Sequence, residues 1–516
     1  MGADSFAKST ASLFTTVMPE PSATSLIPII ITLTLSLCTR NVIIGLFTGV
    51  FTGVLMLHGA SPLVGLSTMV TEHIVPELTD SYNAGVLVLL AFIGGFVALV
   101  EQSGGGAAFA KSINDWVRTR AQAQLAAWVG GIAIFFSDLG TPLIIGPVFR
   151  PLTDRLKISR QKLAFIIDST SSPVAILIPF IGWGVYIMSL MSQEFAALGM
   201  DENEFSAFIK TIPFQFYAWL AVVLVPLLVF LGLDFGPMEK AEEEVRSLHA
   251  DAASMEEEQH EEAVVAFTHP NAKPVMVWAP LCLLAIVLCV ILVPQGFPTQ
   301  QVSGSAFRGG LSTAYFAAAA LLIVLMAGLK VRPVLESIDI YLKGMAGMTL
   351  VAVTLLLAWA LSDVGRELGA ASYIAEVAQA SLPFWLLPVI VFVLSAIISF
   401  ATGSSWGSFA IMFPLVIPTA ITIGAPLYVC MGAVLSGGLF GDHSSPISET
   451  TILSSTGANC SQLDHFRTQL PYALFNGIIS MAAFIIAGLT GTALVIIGAL
   501  ILQLALLLVH ARRKLY

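Results

Sequence analysis

Apolar residues along this chain gather in long, uncharged runs. In the first half they lie near 26–39, 41–57, 84–100, 163–190 and 214–235. In the second they lie near 275–293, 311–329, 344–361, 426–456 and 472–489, and a last run at 490–510 closes on Arg512-Arg513-Lys514. Runs approaching ~20 residues match the helix length that crosses ~30 Å of hydrocarbon, and they are too continuous for the alternating strands of a membrane barrel. The pattern predicts an all-α polytopic membrane protein.

Two further apolar stretches break this rhythm. The stretch 121–149 follows Lys111, Arg118 and Arg120 and precedes Arg150, Arg155, Lys157, Arg160 and Lys162. Basic flanks stay in the cytoplasm, so the chain enters and leaves on one side, and the stretch is too short for two crossings of ~20 residues each. It reads as a re-entrant hairpin with its tip at Ser137-Asp138-Leu139-Gly140-Thr141-Pro142. The stretch 384–421 has no Lys or Arg in 377–383 or 422–428 and is expected to open to the outside. Followed span by span, the second half then runs in the opposite sense to the first. The expected architecture is an inverted-topology repeat of about five spans plus one re-entrant hairpin in each half, with an extra C-terminal span at 490–510.

Charge sharpens this division. Only 11% of the residues are charged, against about 25% in soluble domains, which excludes a soluble enzyme, a disordered chain and a nucleic-acid binder. The net charge of −10 is local: between Glu239 and Glu262 ten acids face only Lys240 and Arg246. So polar a segment cannot bury enough apolar surface to pack. Residues 236–273 therefore read as an acidic cytoplasmic linker between a first repeat, 1–235, and a second, 274–516, whose C-terminus is also cytoplasmic. Cys38, Cys282, Cys289, Cys430 and Cys460 show no pairwise motif spacing and read as small core residues. The opening segment lacks the long apolar stretch of a cleavable signal peptide.

Chemistry concentrates where two spans are interrupted. Asp168-Ser169-Thr170-Ser171-Ser172-Pro173 lies inside the run 163–190, where a charge costs roughly 2.5–3.5 kcal/mol on insertion scales. Proline lacks the N–H and pushes the preceding residue out of the helical region, so the helix breaks there and turns carbonyls, hydroxyls and a carboxylate into a cavity. Asp168 either caps a half-helix or binds an ion, and the two roles are compatible. The run 426–456 carries the echo Asp442-His443-Ser444-Ser445-Pro446, followed by Glu449. Two acids and an imidazole at such depth are hard to explain as packing. Carboxylate, hydroxyl and carbonyl oxygens on broken half-helices suit a hard cation such as Na⁺; Asp168, Asp442, Ser171, Ser445 and Thr402 are the candidate Na⁺ ligands. His443 is either proton-linked or a hydrogen-bonding partner of the ligands.

The hairpin tips add Asp138 and Thr141 from one side and Thr402, Ser404 and Ser405 from the other. Turn chemistry accounts for their glycines but not for an acid at membrane depth. Gly403-Ser404-Ser405-Trp406-Gly407 spells a hydrolase nucleophile elbow, which has meaning only between a strand and a helix of an α/β sheet. Gly45, Gly49 and Gly53 form a stripe that reads as close helix packing.

The stretches FFSDLGTPLIIGPVFRPLTDRLKISRQKLAFIIDSTSSP, FATGSSWGSFAIMFPLVIP and GDHSSPISETTILSSTGANCSQLDHFRTQLPYAL resemble the NhaC-type sodium/proton antiporter family of the ion-transporter superfamily, over residues from about 84 to 490. Ser137-Asp138 stands where many members have two adjacent acids, and Glu449 where Asp is usual. The resemblance implies an elevator-type transporter in the cell inner membrane. In that arrangement hairpin tips and broken helices enclose a site in a mobile domain beside a dimerising scaffold. It implies Na⁺ and H⁺ as ligands, the lipid bilayer and a second copy of the chain as partners, and no cofactor. Related sequences exchange small organic acids or take up amino acids. Competition of Na⁺ and H⁺ for Asp168, Asp442 or Asp138 would give antiport; Na⁺-coupled movement of a carboxylate or amino acid is the alternative.

Overall fold

The computed structural model describes residues 22–515, apart from 60, 115–116, 252–266, 298–301, 371–372, 375 and 378–381. Among the described residues the fold is entirely helical, without strands. Eight helices are long and apolar enough to cross a membrane, or up to ten if two bent pairs, Val42–His58 with Pro62–Thr79 and Glu204–Phe214 with Phe216–Leu231, each count as one span.

The first odd stretch forms the helices Arg120–Ala133 and Gly140–Arg155, joined through the tip. A capping box opens the first arm: Thr119 accepts from the Gln122 N–H while the Gln122 side chain reaches back to the Thr119 N–H. The second stretch forms Leu387–Thr402 and Ser405–Ile423, where Gly403 supplies the left-handed turn at φ +67°. The second arm of each pair contains two interior prolines one turn apart, Pro147 with Pro151 and Pro414 with Pro418. The arms of the first pair are 14 and 16 residues long. In the second pair Phe384–Thr402 and Ser405–Ile423 each reach 19 residues, enough to cross by length and composition.

Both interrupted spans break where the polar residues stand. The first runs as Arg160–Asp168, Ser172–Ala175 and Gly182–Ala197, the second as Leu427–His443 and Glu449–Ala458. The two systems exchange their halves. The first hairpin packs against Arg160–Asp168 of its own broken helix and against Glu449–Ala458 of the other; the second packs against Leu427–His443 and against Gly182–Ala197. Close backbone approach makes this possible. A Cβ on Gly457 would lie 2.3 Å from the Pro142 carbonyl oxygen, and one on Gly441 2.3 Å from that of Ala396. In lipid, where apolar burial drives little association, such small-residue contacts supply the packing energy.

The remaining long helices frame this block. Val42–His58 crosses Ile27–Thr39 closely, with Gly45 and Gly49 against Ser36 and Thr32, as the glycine stripe implies. Ser81–Gln102, capped by Asp80, packs on Gly304–Gly328 and Val334–Gly347. The described start of the acidic linker is a helix, Pro237–Asp251, and it is anchored: Glu242 is buried, pairs with Arg120 and accepts the Ser159 N–H at 2.7 Å.

Candidate functional site

Asp168 ends its half-helix fully buried. Its Oδ2 accepts a hydrogen bond from Gln469 Nε2 at 2.5 Å, with His465 Nε2 at 3.5 Å and His443 Nε2 at 3.7 Å. Its Oδ1, together with the buried Ser169 and Ser172 hydroxyls, makes no hydrogen bond among the described residues. The other hydroxyls of this break are occupied locally, since Thr170 donates to Ile166 and Ser171 donates to the Asp168 carbonyl. A donating hydroxyl keeps its lone pairs, so Ser171 can still offer oxygen to a cation.

At the second break Asp442 is buried and its Oδ1 accepts from Ser448 Oγ at 2.8 Å. Ser444 donates back to Phe440, and Ser445 donates to the Phe400 carbonyl at 2.7 Å, tying this break to the second hairpin. His443 Nδ1 shares a 2.8 Å hydrogen bond with the Tyr217 hydroxyl. The two breaks are joined by Gln469, whose Nε2 reaches both Asp168 Oδ2 and, at 2.8 Å, the His443 carbonyl.

The hairpin tips meet on one side chain. Trp183, near the start of Gly182–Ala197, lies against Asp138 of the first tip and packs at a tilt of 55° on Trp406 of the second, ring centroids 5.1 Å apart. Tyr186 fixes Trp406 further by donating to its carbonyl at 2.7 Å. Beside Asp138, Ser137 donates to Glu101 Oε1 at 2.8 Å and accepts from the Gly140 N–H. Thr141 and Thr402 bond to carbonyls of their own hairpins, and Ser405 is buried while Ser404 is part-buried. Glu449 is exposed, yet it stands within electrostatic reach of both Asp138 and Asp442, and Asp442 in turn of Asp168. A line of carboxylates thus runs from the accessible Glu449 through part-buried Asp138 to buried Asp442 and Asp168. No Lys or Arg among the described residues forms an ion pair with any of them. Lys162, the buried cation nearest in sequence to Asp168, is paired with Asp234.

The model of the Na⁺/H⁺ antiporter family matches residues 174–489, more than half of the chain. The chain belongs to the Na⁺/H⁺ antiporter family. This antiporter-family protein is a secondary transporter and an integral membrane protein, and the matched residues take in the second tip and the second break and begin just after the first break. Over 514 residues it is 29% identical to an uncharacterized protein of Haemophilus influenzae, with 96% of each chain covered. Over 96 residues it is 34% identical to the malate-2H(+)/Na(+)-lactate antiporter of Bacillus subtilis, covering 19% of this chain and 20% of that one. The crystal structure of the YdaH transporter of Alcanivorax borkumensis shares its fold at a TM-score of 0.55 and 16% identity, covering 85% of this chain and 91% of that one.

Five residues of the candidate site were not singled out from the sequence: Glu101, Trp183, Tyr217, His465 and Gln469. His465 and Gln469 sit four apart on Gln462–Thr490, both buried, so they share one face of a membrane helix. That spacing of two polar residues just before Pro471 was the available signal.

Proposed function

We propose that the protein exchanges Na⁺ for H⁺ across the cell inner membrane by alternating access. The observation that carries this reading is the line Glu449, Asp138, Asp442 and Asp168, acids that pair with no Lys or Arg among the described residues, where two helix breaks and two hairpin tips converge. A carboxylate that holds a proton has given up the charge that attracts Na⁺, and one that coordinates Na⁺ has released its proton. A site that carries one or the other, and faces each side in turn, is an exchanger. Na⁺ would be held by Asp168 and Asp442 with oxygens of Ser171, Ser445 and Thr402. His443, hydrogen-bonded through Nδ1 to Tyr217, stands with its Nε2 3.7 Å from the first of these, and Gln469 orients that carboxylate.

The inverted repeat, with a re-entrant hairpin in each half, is part of the same proposal. It is supported by the exchanged packing of the broken halves and the matched proline pairs of the second arms. The hairpins and broken helices form the moving block of an elevator, and the surrounding helices form the scaffold through which two copies pair, with the linker and C-terminus cytoplasmic. A second reading, Na⁺-coupled exchange of a small carboxylate or amino acid, is favoured by the short match to the malate-2H(+)/Na(+)-lactate antiporter. Reconstitution into proteoliposomes decides: an imposed Na⁺ gradient should drive H⁺ movement with no organic solute present. Flux that requires an added organic acid or amino acid supports the second reading instead.

A further inference from the structure

A second cluster of ligating side chains lies apart from the carboxylate line. After Val42–His58 the chain continues through Pro62–Thr68 into a π-helical turn, Met69–Ile74, before Val75–Thr79. Such turns are rare and concentrate at functional sites, because the extra residue re-aims a side chain. Here it carries His73 into the bundle, only 3% exposed, against the end of Thr349–Glu367. His73 Nδ1 lies 3.0 Å from Asp363 Oδ2, and its Nε2 makes no hydrogen bond among the described residues. One ligand atom each from His73, Asp363 and Glu367 lie within 4.8 Å of one another.

The charged groups facing this cluster come from every neighbouring element. His58, at the end of its helix, has its ring 6.3 Å from that of His73, and it approaches Glu72 at 3.9 Å. Glu77, whose Oε2 accepts a hydrogen bond from Asn83 Nδ2 at 2.6 Å, lies within electrostatic reach of Asp363 and Asp80. Arg366 touches the far oxygen of Asp363 at 3.4 Å. It steadies that carboxylate and leaves Oδ2 turned toward the imidazole. One neutral imidazole and two carboxylates present a charge of about −2 to a divalent ion, and the mixture of nitrogen and oxygen donors suits a borderline transition metal better than Ca²⁺ or Mg²⁺. Asp363 and Glu367 are four apart on one helix face, so small rotamer changes bring their oxygens to the ~2.0–2.2 Å that Zn²⁺ requires.

We propose that His73, Asp363 and Glu367 form a divalent transition-metal site of the Zn²⁺ class, which ties the turn after Val42–His58 to the end of Thr349–Glu367. Metal binding there stabilises the folded state by mass action, linking an element of the first half to one of the second, away from the Asp168–Asp442 site. The test is titration of the purified full-length protein in detergent with Co²⁺ and Zn²⁺, read by Co²⁺ absorption, by metal content after desalting and by thermal unfolding. Wild type should bind one ion per chain at this site and unfold at a higher temperature with it. Glu367→Gln, at an exposed position that tolerates change, and His73→Ala should each weaken binding by about tenfold or more and lose the thermal shift, while Asp168→Asn keeps both. Failure of wild type to bind either metal saturably, or full binding retained in Glu367→Gln and His73→Ala, overturns the proposal.

Discussion

The side-chain amide of Gln469 donates to the carboxylate of Asp168 at 2.5 Å, and the same nitrogen reaches the His443 carbonyl at 2.8 Å. A residue far along the chain thereby couples the two places where membrane helices come apart. A buried acceptor stripped of its donor costs about 1–3 kcal/mol. Gln469→Ala should therefore lower the unfolding temperature of the purified protein and cut the transport rate at least ~tenfold, the effect expected when ligating groups lose their supporting shell. Gln469→Asn, one methylene short of Asp168, should restore little. Wild-type rates in Gln469→Ala would show that the breaks hold their geometry without this bridge.

Asp168 and Asp442 are buried and lie at matching breaks. Asparagine is nearly isosteric with aspartate but carries no charge, so Asp168→Asn and Asp442→Asn should each abolish Na⁺-dependent flux while the protein still inserts and elutes as a folded species on size-exclusion chromatography. Normal Na⁺ dependence in both variants would place the cation elsewhere.

The acidic segment is not uniformly solvated. Glu242 pairs with Arg120 at the start of the first hairpin and accepts from the Ser159 N–H that opens the first broken helix, whereas neighbouring Glu243 is exposed. Glu242→Ala should destabilise by about 1–3 kcal/mol through the orphaned Ser159 N–H and Arg120, and should expose the helix Pro237–Asp251 to limited proteolysis. Glu243→Ala should change neither. Equal behaviour of the two variants would remove the anchoring role.

The two halves meet backbone to backbone at Gly146 and Gly457. A Cβ on Gly457 would stand 2.3 Å from the Pro142 carbonyl oxygen, while one on Gly309 meets nothing within 4 Å. Gly457→Ala should cost about 1–3 kcal/mol by overpacking, seen as a lower unfolding temperature, and Gly309→Ala should be neutral.

The interruptions at Asp168 and Asp442 were legible in the sequence because a charge inside an apolar run has no inexpensive explanation, and the structure breaks the helices at those residues. Helix starts were less legible. The runs at 311–329 and 472–489 begin well inside Gly304–Gly328 and Gln462–Thr490, since the opening turns of each helix mix polar and apolar residues. That is why His465 and Gln469 escaped notice: they precede the apolar run they belong to. Glu101 falls just past the run ending at 100 and read as a boundary, although Ser81–Gln102 carries it to the Ser137 hydroxyl. Trp183 gave no signal at all. Its meaning, as the surface on which both tips close, exists only once the exchanged packing has formed. The short helices Pro62–Thr68 and Glu204–Thr211 lack a long apolar run and were likewise invisible.

Competition between Na⁺ and H⁺ is tested most directly by the apparent Na⁺ affinity of the reconstituted protein as a function of pH, with no organic solute present. If both ions contend for the carboxylates of Asp168 and Asp442, raising the pH from about 6 to about 8 should tighten the apparent affinity, by up to ~tenfold per unit while the proton is the bound competitor. A Na⁺ affinity that stays constant with pH, and that sharpens only when a small carboxylate or amino acid is added, would contradict antiport and identify coupled movement of that solute, because coupling between two bound ligands is reciprocal.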